Sequence, residues 1–232
     1  MSIPAAFDHL VLAVPDLEEG VRRFTELTGV VPTAGGRHPG KGTANYLVGL
    51  APAGWETGDG SDAVGGGGAK ALTYLEIIGP DLEQTLPEGT PYSFDVDKLT
   101  EMTLRTWAIH PEGFDERLAA AEAAGVDYGF ASEMSRTTPD GELLEWRLTQ
   151  RFPLPAGGTQ PFLIDWMDST HPALTDIGII RFDSFEVVTP DVPGTRAALE
   201  VLGAADTEVV EGSEYRIRAT LSGPAGSVSF GD

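Results

Sequence analysis

Four side chains able to grip polar atoms crowd into one short stretch. Arg37, His38, Lys41 and Asn45 lie within nine positions of the run GGRHPGKGTAN, in a chain with only 15 lysines and arginines. Gly36, Gly40 and Gly42 interrupt them and would let backbone approach a ligand closely. The order GxxxxGK[S/T] is absent, so this is not a phosphate-binding P-loop. The same composition also suits a surface loop; on the functional reading Arg37 and His38 stand at a rim and Asn45 points inward from the next strand. His9, early in an aliphatic run, is either a hydrogen-bonded core histidine or a functional group. Glu76, between Leu75 and Ile77, must point opposite to them by strand alternation, toward solvent or toward an enclosed chamber. Trp107, Trp146 and Trp166 could be core or could line an apolar pocket, with Trp146 and Arg147 of ELLEWRLT best placed to reach a ligand. His110 and His171, each directly before a proline, read as surface turn residues. A G-x-S-x-G elbow is missing and cysteine is absent, which excludes that serine-triad motif, a thiolate nucleophile, a thiolate zinc site and a disulfide scaffold.

The elements that must position these residues come from 232 residues, enough for one large or two small domains. A hydrophobic fraction of 41% rules out wholesale disorder, and 29 glycines and 17 prolines stay below the low-complexity range. The net charge of −21 repels phosphate backbones and anionic lipid, so neither nucleic acid nor a membrane is an expected partner. No apolar run reaches the roughly 18 residues of a membrane helix. The start MSIPAAFDHL lacks a signal-peptide layout, so the expected location is cytoplasmic.

An internal repeat supplies the frame. FDHLVLAVPDLEEGVRRFTELTGV (7–30) and FDSFEVVTPDVPGTRAALEVLGA (182–204) share Phe, Asp, Pro and Asp at Phe7/Phe182, Asp8/Asp183, Pro15/Pro190 and Asp16/Asp191. LRTWAIHPEGFDERLAAAEAAGV, more divergent, keeps the spacing from its proline, Pro111, to its glycine, Gly125. Each copy reads as a strand, a helix opened by proline and an acid, and a glycine stop at Gly29, Gly125 or Gly203. Three strands should follow each helix: around Val30–Pro32, Ala44–Leu50 and Ala71–Ile78; around Tyr128–Ser132, Leu143–Thr149 and Pro161–Trp166; and around Thr207–Val210, Tyr215–Leu221 and Ser227–Phe230. The expected class is α+β: three β-α-β-β-β modules, with 1–175 holding a pair (6–81 and 103–170, joined by linker 82–102) and 176–232 a third. Ala51–Ala69, with GDGSDAVGGGG, reads as a long hairpin loop.

A tandem β-α-β-β-β module with His early in its first strand and Glu in its last is similar to the vicinal oxygen chelate superfamily, also called the glyoxalase/bleomycin-resistance/dioxygenase superfamily. The runs GGRHPGKGTANYLVGL and YLEIIGPD resemble the glyoxalase-like domain proteins within it. The resemblance implies that two modules pair their curved sheets into a cup with a metal at its base, ligated from first and last strands. Carried across, it places His9 and Glu76 as ligands from the first module and Asp165 from the second, for one divalent ion (manganese, iron, nickel or zinc). Arg105 stands where the fourth ligand belongs, and a guanidinium cannot ligate. It either turns aside to grip a substrate carboxylate, or pairs with Glu76 or Asp165 and takes the metal's place.

The leading expectation is an enzyme of lyase or isomerase type, acting on a small oxygenated metabolite through an enolate-like intermediate. His9 and Glu76 would serve as ligands or bases, and Arg37, His38, Asn45, Arg105 and Trp146 would bind substrate. The alternative is a non-catalytic protein that sequesters small molecules, as in bleomycin resistance. Third is a ring-cleaving dioxygenase, which needs two histidines and a carboxylate on iron, whereas only His9 is well placed. The third module leaves a sheet edge to be covered, by the first pair or by a second copy in a homodimer.

Overall fold

The computed structural model describes residues 3–52, 73–138 and 141–231, which leaves the expected long loop at 51–69 almost wholly outside the described residues. The first copy folds as β1 (Phe7–Ala13), α1 (Leu17–Thr28), β2 (Thr33–His38), β3 (Thr43–Pro52) and β4 (Thr73–Pro80). The second is β5 (Thr103–Ile109), α2 (Phe114–Ala124), β6 (Phe130–Thr137), β7 (Leu143–Gln150) and β8 (Phe162–Asp165). The third is β9 (Ile179–Thr189), α3 (Val192–Leu202), β10 (Val209–Glu211), β11 (Arg216–Gly223) and β12 (Gly226–Phe230). The architecture is the mixed α+β, strand-rich arrangement of three β-α-β-β-β copies.

The helix boundaries follow from local chemistry. Asp16 and Asp191 accept hydrogen bonds from the amides of Glu19 and Gly194, satisfying helix N-termini that would otherwise be orphaned. Gly29, Gly125 and Gly203 close the three helices with φ of 75°, 72° and 99°, values an L-residue adopts only with strain. One strand differs from expectation. The glycine-rich segment is not a loop: its first half is β2, paired antiparallel with β3, while Val30–Pro32 only leads into it.

Twelve strands form one sheet in the order β12-β11-β9-β3-β4-β1-β5-β8-β7-β6, with β2 on β3 and β10 on β9. The first strands of copies one and two, β1 and β5, pair antiparallel at the centre, and each is flanked by its own last strand running parallel, β4 and β8. Copy three keeps the chain order but not the pairing, since β9 lies against β11 instead of its last strand. The start of β9 pairs with the end of β3, beyond the stretch that β2 occupies, so copy three itself covers that edge of the first pair.

Alternation divides the central strands between two environments. Leu10 and Leu12 of β1, Leu75 and Ile77 of β4, and Trp107 and Ile109 of β5 face the main core beneath the helices. All three copies contribute an aromatic from the first strand there: Phe7, Trp107, and Phe182 with Phe185. His9, Tyr74, Glu76, Ile78 and Thr106 border the space on the opposite face, between the two paired modules.

Candidate functional site

That space is a cavity of about 100 Å³, several times the room one ordered water needs. His9 and Glu76, from β1 and β4, both line it, and so do His38, Asn45 and Trp146. The aromatic and aliphatic part of its wall includes Phe94, Phe152, Phe162, Leu148 and Ile164.

His9 is 2% exposed, and its ring stacks on Tyr74 with centroids 4.5 Å apart. Its Nδ1 lies 2.6 Å from Asp8 Oδ1. Neighbours in a regular strand point to opposite faces, but here Phe7 pairs with Ile109 and His9 with the next residue of β5, Ala108, leaving Asp8 as an extra residue between them. This bulge breaks the alternation and brings both side chains together. Asp8 also accepts from Trp166 Nε1 at 3.0 Å and pairs with His171 Nε2 at 3.1 Å, while His110 Nδ1 stands 3.9 Å away. Burial alone would raise the Asp8 carboxyl, but the hydrogen bonds from His171 and His9 outweigh it and hold the group well below the usual carboxylate range. An ionised carboxylate only accepts, so Nδ1 of His9 donates to it. Nε2 has no partner among the described residues.

Glu76 is 7% exposed and accepts from Asn45 Nδ2 at 2.5 Å. The second Asn45 N–H approaches His38 Nε2 at 3.3 Å, and His38 Nδ1 lies 3.0 Å from Thr43 Oγ1. His38 Nε2 therefore accepts, as a neutral imidazole does. Burial pushes the His38 pKa down, against the pull of Glu76. Burial also raises Tyr74 well above the ordinary phenol value, reinforced by the charges of Asp8 and Glu76, so its hydroxyl keeps its proton.

Five sequence expectations need correction. Asp165 does not join His9 and Glu76: along β8 Phe162 and Ile164 line the cavity, so Asp165 faces the other way, where Arg147 Nε holds it at 2.9 Å. Alignment with Glu76 was one residue out of phase, which in a strand exchanges the faces. Arg147 shares that outer face, pairing with Asp115 and lying 4.5 Å above the Phe114 ring, so only Trp146 of the two reaches the cavity. Arg105 falls at an irregularity where Val11 faces Thr106 and Leu12 faces Leu104; its Nη2 lies 3.8 Å from Asp95, and Thr106 lines the cavity instead. Arg37 is exposed and ion-paired with Glu83 and Asp81, outside the cavity. His110 and His171 are likewise not mere turn residues, since both stand near Asp8.

Sequence reasoning missed Arg136 of β6, as it missed the roles of Asp8 and Tyr74. Arg136 is 4% exposed, lines the cavity, and forms no hydrogen bond or ion pair with the described residues; its Nη1 is both buried and unpartnered. Arg136 is covered because β2 folds over it. A Cβ on Gly36, whose φ is 144°, would lie 3.0 Å from Arg136 Nη1 and 3.1 Å from the Thr137 carbonyl oxygen, so a side chain there would press on β6. Arg136→Met should raise the unfolding free energy of the unliganded protein by about 1–3 kcal/mol, because an apolar side chain replaces a desolvated, unsatisfied charge. Urea midpoints at equal m-values check this, and a lower midpoint would reveal a structural role for the guanidinium.

The implied metal does not fit these residues. Among the described residues no three His, Asp or Glu side chains converge as ligands. Asp165 is turned away, and a guanidinium borders the same space as His9 and Glu76.

Residues 7–203 match the family model described as "Glyoxalase-like domain". The chain belongs to that glyoxalase-like domain family. Among solved structures, a hypothetical protein from Staphylococcus aureus is 15% identical with a TM-score of 0.59, covering 97% of this chain and 84% of that chain. A variant of Streptomyces coelicolor methylmalonyl-CoA epimerase in complex with 2-nitronate-propionyl-CoA is 17% identical, with a TM-score of 0.43, over 70% of this chain and 97% of that chain. A variant of 4-hydroxymandelate synthase from Streptomyces coelicolor is 13% identical, with a TM-score of 0.44, over 100% of this chain and 64% of that chain. The first of these likenesses speaks to fold, and none carries a substrate across. No curated protein sequence matches the glyoxalase-like chain. None of its described helices is long and apolar enough to cross a membrane.

Proposed function

We propose that this glyoxalase-like protein is a proton-transfer enzyme of isomerase or lyase type, acting on a small oxygenated metabolite in the cavity between its first two modules. The observation that carries the reading is the Asp8–His9 pair: a buried carboxylate holds Nδ1 of an imidazole that lines the cavity and leaves its Nε2 without a partner among the described residues. His9 Nε2 takes a proton from a carbon beside a carbonyl; the C–H bonding pair becomes a C=C bond and the carbonyl π pair moves onto oxygen, giving an enolate. Returning the proton to the other face of that carbon inverts it. Expelling a leaving group from the next carbon, with its bonding pair, gives the lyase outcome. Tyr74, held protonated, is a neutral donor for the enolate oxygen, and Glu76 is a second group able to accept a proton.

The test is hydrogen exchange in deuterated water. Small 2-keto and 3-keto acids are incubated with the protein, and loss of the C–H signal adjacent to the carbonyl is followed by proton NMR. Wild type should accelerate exchange on at least one compound, and His9→Gln should lower that rate by about 10²–10⁴-fold. The mostly aromatic and aliphatic wall favours a second reading, a protein that only sequesters its ligand. Saturable binding without protein-dependent exchange on any compound selects it.

A further inference from the structure

We infer that the cavity is built for a small organic monoanion, with a carboxylate seated on Arg136 and an apolar or aromatic body against Trp146, Trp166 and Phe162. The inference rests on the proposed cavity but concerns recognition, not turnover. A guanidinium carries five N–H donors, and burying it without an acceptor is among the costliest arrangements a fold can keep. Other arginines of the chain have their carboxylates: Arg37 has Glu83, Arg147 has Asp115 and Asp165, Arg151 has Asp127 and Arg181 has Asp183. Arg136 alone, of the arginines lining the cavity, is left without an acceptor among the described residues.

Glu76 does not serve as that acceptor. It is committed to Asn45, and no ion pair joins it to Arg136. Its negative charge instead limits the ligand. One guanidinium balances one anionic group, and the cavity's other arginine, Arg151, is already paired with Asp127, so a dianion such as a phosphate monoester would leave a charge facing Glu76 with no uncommitted arginine to meet it. A planar carboxylate also matches the guanidinium fork. The rest of the molecule meets rings: Trp146 and Trp166 lie 5.6 Å apart, and both line the cavity with Phe162 and Ile164. Such a wall gains by covering an apolar body and offers a sugar or polyol little.

The test uses the full chain with benzoate, phenylacetate and 3-phenylpropanoate beside their primary amides, which keep shape and lose charge. Binding is read by quenching of tryptophan fluorescence and by ligand-observed NMR. At least one acid should bind saturably and about tenfold or more tighter than its amide, the difference expected when a buried charge loses its partner. Arg136→Gln should erase that preference, and Arg136→Lys should keep part of it. Equal affinity for acid and amide overturns the inference, as does full preference in Arg136→Gln, or no saturable binding of any acid at millimolar concentration. Acid preference without proton exchange supports the recognition and defeats only the proton-transfer reading.

Discussion

Asp8→Ala should lower the unfolding free energy by about 3–5 kcal/mol, a cost normally seen when one partner of a buried charge network is removed. The carboxylate is 2% exposed and serves His9 Nδ1, Trp166 Nε1 and His171 Nε2. Without it the first two donors stay buried with no acceptor, each costing about 1–3 kcal/mol. Asp8→Asn removes less volume but puts an N–H₂ where one donor must be met, so it should fall between wild type and alanine. The pH dependence has a definite sign. A carboxyl held below its usual value adds stability that is complete above the ordinary carboxylate range and fades as pH falls below it toward the folded value. Wild type should therefore lose stability on acidification through that window, and Asp8→Asn should show a flatter acid limb. Urea unfolding at a series of pH values separates the two. Equal slopes, or an alanine variant as stable as wild type, would show that Asp8 is not the hub of this cluster.

The same residue shows where legibility ends. The repeat marked Asp8 twice over, through its match with Asp183, yet period-two alternation sends it away from His9. Only the bulge opposite β5 reunites them, and no residue type announces a bulge in FDHLVLA. Asp183 has no such role in copy three, where it receives Arg181 and Ser222. Helix starts and stops were legible because they depend on local chemistry: an aspartate side chain on a free amide, a glycine at positive φ. Alternation set Glu76 opposite Leu75 and Ile77, but only the fold shows that this side borders the cavity and not solvent. Asp165 and Arg105 went astray because carrying positions from one module to the next tolerates no irregularity, and one residue of error exchanges the two faces of a sheet. Arg136 left little trace. It sits in a strand whose other residues are exposed or half-buried, and it is covered by a segment a hundred residues earlier in the chain. The glycine at position 36 was the available hint, a mark of close backbone approach whose partner only the fold reveals.

The centre of the molecule yields the other large effect. Trp107→Ala should cost about 3–5 kcal/mol from lost burial and the remaining cavity, with up to about 1–3 kcal/mol more for an orphaned acceptor. The side chain has no exposed surface, and its Nε1 donates to the Thr159 carbonyl at 2.9 Å. Its ring meets Phe7 at 6.0 Å and Phe185 at 4.9 Å, so one residue of copy two bridges the first strands of copies one and three. β9 is also hydrogen-bonded to β3, and these links leave copy three no core of its own to retain when the others melt. Destabilisation at Trp107 should accordingly shift a single transition to lower temperature, with far-ultraviolet circular dichroism and tryptophan fluorescence moving together. Trp107→Phe keeps a ring between Phe7 and Phe185 and should lose markedly less. A second, unshifted transition arising from residues 176–232 would show that copy three folds by itself, and that the aromatic junction is a contact between domains, not a shared core.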